Sequence, residues 1–284
     1  MMARVAALLL AGAIAFQAAR AFAEETVTFD SAQYLVGDLA QRLASERGEV
    51  IKRAPPDIIK GYLSRPPGQG PFAAIVHLHG CGGLSEQRRM SDAEQFVRWG
   101  YVTLVVDSFT TRGIKDACTS DVLPPPRQAD AIGALIYLST LPFVDPKRIA
   151  VVGYSQGGIA ALEVASLQPF AMFNMPAGLT FKAAVAYYPP CGAASNRLAM
   201  PTLVMIGELD DWSWASSCER LMKRWDRNSA PLKLIVLPEA YHSFDSVGLR
   251  GTVRYFGHWL RYDADATRHA AEAMHDFLTA QLDN

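Results

Sequence analysis

From residue 72 onward, short apolar segments alternate along the chain with longer segments of mixed polarity. The apolar segments are rich in Val, Ile and Ala and lack a regular polar alternation, which is typical of strands buried on both faces. These predicted central strands are FAAIVHLH (72–79), YVTLVVD (101–107), RIAVVGY (148–154), FKAAVAYY (181–188), TLVMIG (202–207) and KLIVLP (233–238).

Helix-compatible segments lie between and after these strands, at 85–99, 127–141, 156–168, 214–227 and 264–283. Strands that alternate with helices form a mostly parallel sheet flanked by helices, so the pattern predicts an α/β fold. We find no internal repeat and no second composition zone, and we therefore expect one domain over 24–284. In such a sheet, functional residues lie at the carboxyl ends of the strands.

The segment before the first central strand has a different character. It begins with a polar stretch that we interpret as helical and continues into VIKRAPPDIIKGYLSRPPGQG (50–70). The proline and glycine pairs there bracket short extended segments, which is typical of edge strands and hairpins.

The amino-acid composition limits which classes of molecule we expect the protein to bind. The chain has 284 residues, half of them hydrophobic, which is enough to bury a large core. Its formal net charge of -1 gives no bias toward polyanions, so we do not expect a nucleic-acid partner.

The first 23 residues have the features of a signal peptide. Arg4 supplies a positive start, VAALLLAGAIAF (5–16) is an apolar core, and Ala21-Phe22-Ala23 is a small-x-small cleavage site. The apolar core is shorter than the roughly 20 residues that a membrane-spanning helix needs. Because the first cysteine is Cys81, a lipid anchor at the cleavage site is excluded. We expect a periplasmic or secreted protein with no stable membrane anchor after cleavage.

Export changes the interpretation of the cysteines. In an oxidising compartment the chain can form up to two disulfides, and three pairings are open for Cys81, Cys118, Cys191 and Cys218. No two of these cysteines lie within a few residues of each other, so the spacing does not resemble a zinc motif and we expect no metal site.

A glycine-bounded serine, GYSQG (153–157), stands between a predicted strand and a predicted helix. Gly-x-Ser-x-Gly in that position is the nucleophile elbow, a tight turn that exposes the serine hydroxyl. The alternative is a glycine-rich turn without chemistry. The motif predicts a nucleophile at Ser155 only if a base and an orienting carboxylate occur elsewhere.

Two later strands end in residues of those types, in the chain order serine, acid, histidine. GELDDW (207–212) offers Asp210 and the neighbouring Asp211, of which the spacing from Gly207 favours Asp210. His242 follows the last central strand, whereas His258, His269 and His275 fall in or near the C-terminal helical region, where solvent exposure is the expected role. We therefore predict a triad of Ser155, Asp210 and His242.

Backbone donors for an oxyanion are predicted next to this serine. HLHGCGGLSE (77–86) follows the first central strand and is similar to a His-Gly-x-Gly loop, so we assign the backbone N–H groups of Cys81 and Gln156. His77 and His79 are expected to pack or brace the loop, because no further metal ligands cluster with them.

Several aromatic residues near strand ends are candidates for the substrate pocket, although core or rim packing is the common role for such residues. They are Tyr154, Tyr187, Tyr188, Trp212 and Trp214.

The chain resembles the dienelactone hydrolase family of α/β-hydrolases. The segments YLSRPPGQGPFAAIVHLHGCGGL, VTLVVDSF, VVGYSQGG, YYPPCG, IGELDDW and YHSFD occur in that family's order. The resemblance implies an α/β-hydrolase fold and hydrolysis of a small-molecule ester or lactone through an acyl-enzyme, with no metal or organic cofactor. The enzymes that gave the family its name have a cysteine nucleophile, whereas this chain has Ser155, which favours the ester-cleaving members. Arg112, in the loop after VTLVVDSF, is a candidate ligand for a substrate carboxylate.

The strand order implied by the resemblance also suggests a disulfide pairing. Neighbouring strands precede Cys81 and Cys118, and another neighbouring pair precedes Cys191 and Cys218. We therefore expect Cys81–Cys118 and Cys191–Cys218.

Two other functions are open from the sequence. The same triad could serve a peptidase or an acyltransferase, and a hydrolase fold could serve as a binding module without catalysis.

Overall fold

The computed structural model describes residues 23–51, 54–119, 125–167 and 172–283. The proposed signal peptide, apart from Ala23, lies outside the described residues. The strands are β1 Glu24–Asp30, β2 Ile58–Ser64, β3 Phe72–Leu78, β4 Val102–Asp107, β5 Val144–Tyr154, β6 Ala183–Tyr187, β7 Thr202–Gly207, β8 Leu232–Leu237, β9 Thr252–Tyr255 and β10 His258–Arg261. The helices are α1 Asp38–Glu46, α2 Glu86–Arg98, α3 Arg127–Ser139, α4 Gln156–Ala165, α5 Ala215–Arg224 and α6 Ala264–Leu282.

Eight strands form one mostly parallel sheet in the order β1-β2-β4-β3-β5-β6-β7-β8. The pairs β1–β2 and β2–β4 are antiparallel, and the remaining neighbours are parallel. Strands β4, β6 and β7 are buried along their whole length, which explains why their sequences are continuously apolar. The predicted α/β-hydrolase architecture is confirmed.

Helices cover this sheet and complete the core. Helix α3 packs against α4, and α6 packs against β5, β6 and β7. At the end of α2, the ring of Trp99 lies 4.7 Å from that of His275 on α6, so these two helices are neighbours. Within the described ranges, no helix is both long and apolar enough to span a bilayer.

The start of the domain differs from the sequence-based expectation. Residues 24–30 are not helical but form β1, an edge strand whose Val27 and Phe29 are buried while Thr28 between them is exposed. Apolar residues at every second position are typical of a half-buried strand. The polar residues in the segment made this strand pattern hard to recognise in the sequence. The polar helix is restricted to α1, which has no buried residue.

A short hairpin, β9–β10, lies between the last sheet strand and α6, where no strand was expected. Its turn consists of Phe256 and Gly257, because Tyr255 pairs with His258. His258 was expected in or near the C-terminal helical region with a solvent-exposed role; it lies instead on β10, and its ring stacks on Trp212.

Candidate active site

Ser155 stands in the turn that joins β5 to α4. Its φ of +53° is a conformation that side chains rarely adopt, and Gln156 begins the helix at the next residue. A Cβ on Gly153 would overlap the carbonyl oxygen of Gly157, and a Cβ on Gly157 would overlap that of Leu78. Glycine at both positions is therefore a steric requirement of this turn.

The structure brings His242 and Asp210 to this serine. His242 Nε2 lies 3.0 Å from Ser155 Oγ, and His242 Nδ1 lies 2.8 Å from Asp210 Oδ2. An ionised carboxylate only accepts hydrogen bonds, so Nδ1 carries the proton and Nε2 is free to accept one from the serine. His242 and Asp210 are both buried. This arrangement can activate the hydroxyl and hold the imidazole in the required tautomer.

Asp211, the alternative acid, points to a different partner. It accepts a hydrogen bond from the backbone N–H of Trp259 at 3.1 Å and lies 3.6 Å from Nδ1 of His258. Asp211 therefore anchors the β9–β10 hairpin, while Asp210 is the carboxylate that reaches His242.

The two residues with assigned oxyanion donors flank the serine from different elements. Gln156 is the first residue of α4, where backbone N–H groups are not used by the helix and the dipole favours negative charge. Cys81 lines the cavity beside Ser155, in a loop fixed by a hydrogen bond from Ala117 N to Cys81 O of 2.9 Å. The role of their N–H groups stays a prediction.

Both disulfides have the pairing that the family resemblance implied. Cys81–Cys118 ties the loop after β3 to the loop after β4, and Cys191–Cys218 ties the loop after β6 to α5.

A cavity of about 260 Å³ opens over Ser155 and His242. Of the aromatic candidates, Tyr154, Tyr188 and Trp212 line it. Tyr187 is buried outside this cavity, and Trp214 is 62% exposed and also lies outside it. The rings of Trp212 and Tyr188 lie 5.1 and 4.7 Å from the His242 ring, so both pack against the imidazole.

The expectation that Arg112 lies in the substrate pocket is wrong. Its guanidinium donates to Asp130 at 2.7 and 2.8 Å, to Asp57 at 2.7 Å and to the carbonyl of Ser108 at 2.7 Å. These acceptors use the donors that a substrate carboxylate would need. Arg112 therefore ties β4 to α3 and to the segment before β2, and it does not line the cavity.

A partly buried charge network beside the cavity was not foreseen from the sequence. Arg88 donates to Asp92 and to Asp245 at 2.6 Å each, and Tyr188 donates to Asp245 at 2.8 Å. Burial and the negative charge of Asp245 raise the pKa of Tyr188 well above its usual value, so this hydroxyl stays protonated. The Arg88–Asp92 spacing of four residues on one helix was the available signal. Asp245 lies 157 residues away from Arg88 in the chain, so no sequence pattern connected these two residues.

His77 and His79 brace this region, as expected. His77 Nε2 lies 2.8 Å from Asp92 Oδ2, and His79 Nδ1 donates to the carbonyl of Gly80 at 2.7 Å. Burial and the nearby charge of Arg127 lower the pKa of His79 well below its usual value, so it is neutral. Among the residues that the structure describes, no group of three His, Cys, Asp or Glu side chains could hold a metal ion.

Arg127 is a buried cation in contact with Gln156. Arg127 Nη1 donates to Gln156 Oε1 at 3.3 Å, and Arg127 Nε and Nη2 have no hydrogen-bond partner within the described part of the chain. Burial lowers the pKa of Arg127 to about 10, which leaves it charged at neutral pH. Its positive charge therefore acts in a low-dielectric region near the start of α4.

Comparisons with known proteins identify similar sequences. Residues 59–282 match the model of the Dienelactone hydrolase family. Thiohydrolase apmlB of Arthrinium phaeospermum is 34% identical over 112 residues, covering 39% of this chain and 36% of that protein. Quorum-quenching protein AidA of Acinetobacter baumannii (strain MDR-ZJ06) is 34% identical over 106 residues, covering 37% of this chain and 34% of that protein. The matches thus span about a third of the length of these curated relatives.

The fold also has counterparts among solved structures. Dienelactone hydrolase from Anabaena variabilis ATCC 29413 matches with a TM-score of 0.62 at 20% identity, over 92% of this chain and 99% of that chain. At this identity the likeness establishes the fold alone.

Proposed function

The chain belongs to the dienelactone hydrolase family, and we propose that it hydrolyses carboxylic esters or lactones through an acyl-enzyme formed on Ser155. The observation that carries the proposal is the continuous chain of contacts from Ser155 Oγ to His242 Nε2 and from His242 Nδ1 to Asp210 Oδ2. Aligned in this way, a weakly nucleophilic hydroxyl has both a base and a group that stabilises the resulting imidazolium.

In the acylation half, Ser155 Oγ attacks the substrate carbonyl carbon while His242 Nε2 takes the hydroxyl proton. The carbonyl oxygen becomes an oxyanion, for which the backbone N–H groups of Cys81 and Gln156 are the proposed donors. The bond between the carbonyl carbon and the ester oxygen then breaks, and His242 returns the proton to the departing alcohol.

In the deacylation half, water attacks the acyl-enzyme carbonyl and gives its proton to His242 Nε2. The bond to Ser155 Oγ breaks, the serine recovers the proton, and the carboxylic acid leaves. In a lactone the alcohol and the acid stay in one molecule, so a single hydroxy acid is released. The thiohydrolase among the partial relatives supports acyl hydrolysis as the reaction class.

We also propose that the mature protein is exported to the periplasm or secreted. The N-terminal pattern supports this location, and so do two disulfides in a chain with no free cysteine among the described residues, since such bonds persist in oxidising compartments. Mass spectrometry of the protein purified from a cell fraction tests it. We expect an N-terminus at Glu24, and a cytosolic protein that begins at Met1 would contradict the proposal.

Turnover of p-nitrophenyl acetate tests the function, with a fluorophosphonate probe to report on Ser155. We expect Ser155→Ala to lose hydrolysis by about 10³-fold or more and to lose labelling, while its melting temperature stays near that of the wild type. Retained hydrolysis in this variant would refute the assignment. Addition of an alcohol as acyl acceptor separates transfer from hydrolysis.

A further inference from the structure

We propose that the β9–β10 hairpin forms an aromatic subsite, made of Trp212, Tyr255 and Phe256, for an uncharged ester with an apolar, ring-bearing substituent. The inference rests on the proposed function and names its substrate class. It rests on three observations: the position of the rings, the backbone of the hairpin turn and the charges around the cavity.

The aromatic rings lead outward from the reacting groups. Trp212 and Tyr255 both line the cavity, and their ring centres are 6.0 Å apart. Phe256 lies 4.4 Å from Tyr255 in an edge-on arrangement and is 51% exposed. A substituent that extends from a carbonyl at Ser155 therefore meets aromatic surface from the cavity to solvent, and ring-to-ring contacts at such distances are favourable.

The hairpin turn contains Phe256 in a backbone conformation that is unfavourable for phenylalanine. Phe256 and Gly257 form a two-residue turn with φ of +47° and +89°, the conformation in which Asn-Gly is strongly preferred. Phenylalanine in this conformation is strained, and its exposed ring contributes little to the core. A strained, exposed aromatic in contact with Tyr255, which lines the cavity, indicates a role in binding.

The hairpin is held in place by polar contacts that leave its rings available. Tyr255 donates its hydroxyl to Asp116 at 2.8 Å, and Trp259 N donates to Asp211 at 3.1 Å. His258 stacks on Trp212 with ring centres 4.8 Å apart. The aromatic surface is thus positioned before a substrate arrives, which reduces the entropy lost on binding.

The charges around the cavity disfavour an anionic substrate. Among the described residues that line the cavity, the one Lys or Arg is Arg88, and Asp92 and Asp245 already accept from it at 2.6 Å each. Asp116 and Asp211 add negative charge where the hairpin is attached. Within the described lining of the cavity, a substrate carboxylate would find no free cation and would lose its hydration without compensation.

The test of the aromatic subsite is Phe256→Asn, which removes the ring and gives the turn its preferred Asn-Gly sequence. We expect an unchanged or higher melting temperature, and for benzyl acetate or ethyl phenylacetate about a fivefold to tenfold lower kcat/KM, mainly through KM. Ethyl acetate, which has no ring, should be hydrolysed as by the wild type.

Leu39→Asn is the matched control, because Leu39 is 60% exposed on α1 and makes no contribution to the cavity. It should change none of the three kcat/KM values. If Phe256→Asn lowers kcat/KM equally for all three esters, or for none, the aromatic subsite is refuted even though the enzyme is active.

The charge argument is tested on the wild type with 4-(acetoxymethyl)benzoate, the carboxylated analogue of benzyl acetate. We expect at least about tenfold lower kcat/KM for the charged ester. Equal or better turnover of the charged ester would overturn the substrate class but not the reaction. Absence of turnover for every ester, together with absence of Ser155 labelling, would overturn the proposed function and this inference together.

Discussion

The carboxylate of Asp210 uses its two oxygens for different partners. Oδ2 accepts from His242 at 2.8 Å, while Oδ1 accepts from the backbone N–H groups of Trp212 at 2.9 Å and Ser213 at 2.8 Å. The backbone donors fix the direction of the carboxylate, so the imidazole is fixed as well. At the scale of single residues, this turn decides which of two adjacent aspartates reaches the base.

We expect Asp210→Asn to lower kcat by about 10³-fold or more with little change in KM, because an amide can donate to Nδ1 and stabilise the wrong tautomer of His242. Asp211→Asn is the matched control and should stay within about tenfold of the wild type, since Asp211 touches the hairpin instead. Steady-state kinetics on an ester that the wild type hydrolyses gives both values. A larger loss in Asp211→Asn than in Asp210→Asn would reverse the assignment of the acid.

The ion pair of Arg88 and Asp92 makes stability depend on pH. Burial raises the pKa of Asp92, but the charge of Arg88 and the hydrogen bond from His77 outweigh it, and the pKa lies below its usual 3.8. Because the folded-state pKa is lowered, the stabilisation is present above the unfolded value and is lost as pH falls through the folded value.

We expect Asp92→Asn to lower the free energy of unfolding at pH 7 by about 2 kcal/mol, because it leaves a partly buried cation short of one of its two carboxylate partners. The difference from the wild type should shrink as pH falls below the usual Asp range. Urea unfolding at several pH values measures it, with Asp265→Asn as the control, because the Asp265 side chain is 93% exposed. A difference independent of pH would contradict the ion-pair explanation.

At the scale of elements, the packing of β1 on α3 explains a glycine inside a helix. A Cβ on Gly133 would overlap the backbone carbonyl oxygen of Asp30, the last residue of β1. Helix interiors disfavour glycine, so its presence here reflects the close approach of this strand. The edge of the sheet is thereby attached to the core rather than only to β2.

We expect Gly133→Ala to lower the melting temperature, with a loss of about 2 kcal/mol in stability, although alanine favours helix. Gly192→Ala should be nearly neutral, because no atom lies within 4 Å of the added Cβ. Thermal unfolding followed by circular dichroism compares the two. Stabilisation by Gly133→Ala would show that β1 is not docked on α3.

Local signals in the sequence were enough for the central strands, for the turn at Ser155 and for the chain order that places Asp210 and His242. They failed for β1 and for the β9–β10 hairpin, which are short and half-exposed, so that their apolar positions form no continuous run. They also failed for Arg112 and Arg88, because each of these side chains has one carboxylate partner, Asp57 or Asp245, from a distant part of the chain. An ion pair between residues far apart in the chain leaves no pattern in the local sequence.

At the scale of the whole molecule, the two disulfides differ in what they hold. Cys191–Cys218 closes a segment with a sequence separation of 27 and lies outside the cavity. Cys81–Cys118, with a separation of 37, lines the cavity and holds the loop beside Ser155. Cys191–Cys218 therefore contributes to stability, whereas Cys81–Cys118 contributes both to stability and to the geometry of the active site.

We expect the Cys191→Ser/Cys218→Ser pair of substitutions to lower stability by about 3 kcal/mol and to leave kcat near that of the wild type. The Cys81→Ser/Cys118→Ser pair should lower both stability and kcat, because the loop that includes Cys81 is released. Melting temperatures and ester kinetics below the melting transition distinguish the two. Equal kcat in both double variants would show that the Cys81–Cys118 bond does not position the site.

The contact of Trp212 with two imidazole rings gives the molecule an internal optical reporter. Its indole lies 5.1 Å from the ring of His242 and 4.8 Å from that of His258. Indole emission depends on the groups that lie against the ring, so the difference in fluorescence between the wild type and Trp212→Phe reports on the surroundings of the active site. Changes around the proposed base can thus be followed in the resting protein by light, without any substrate.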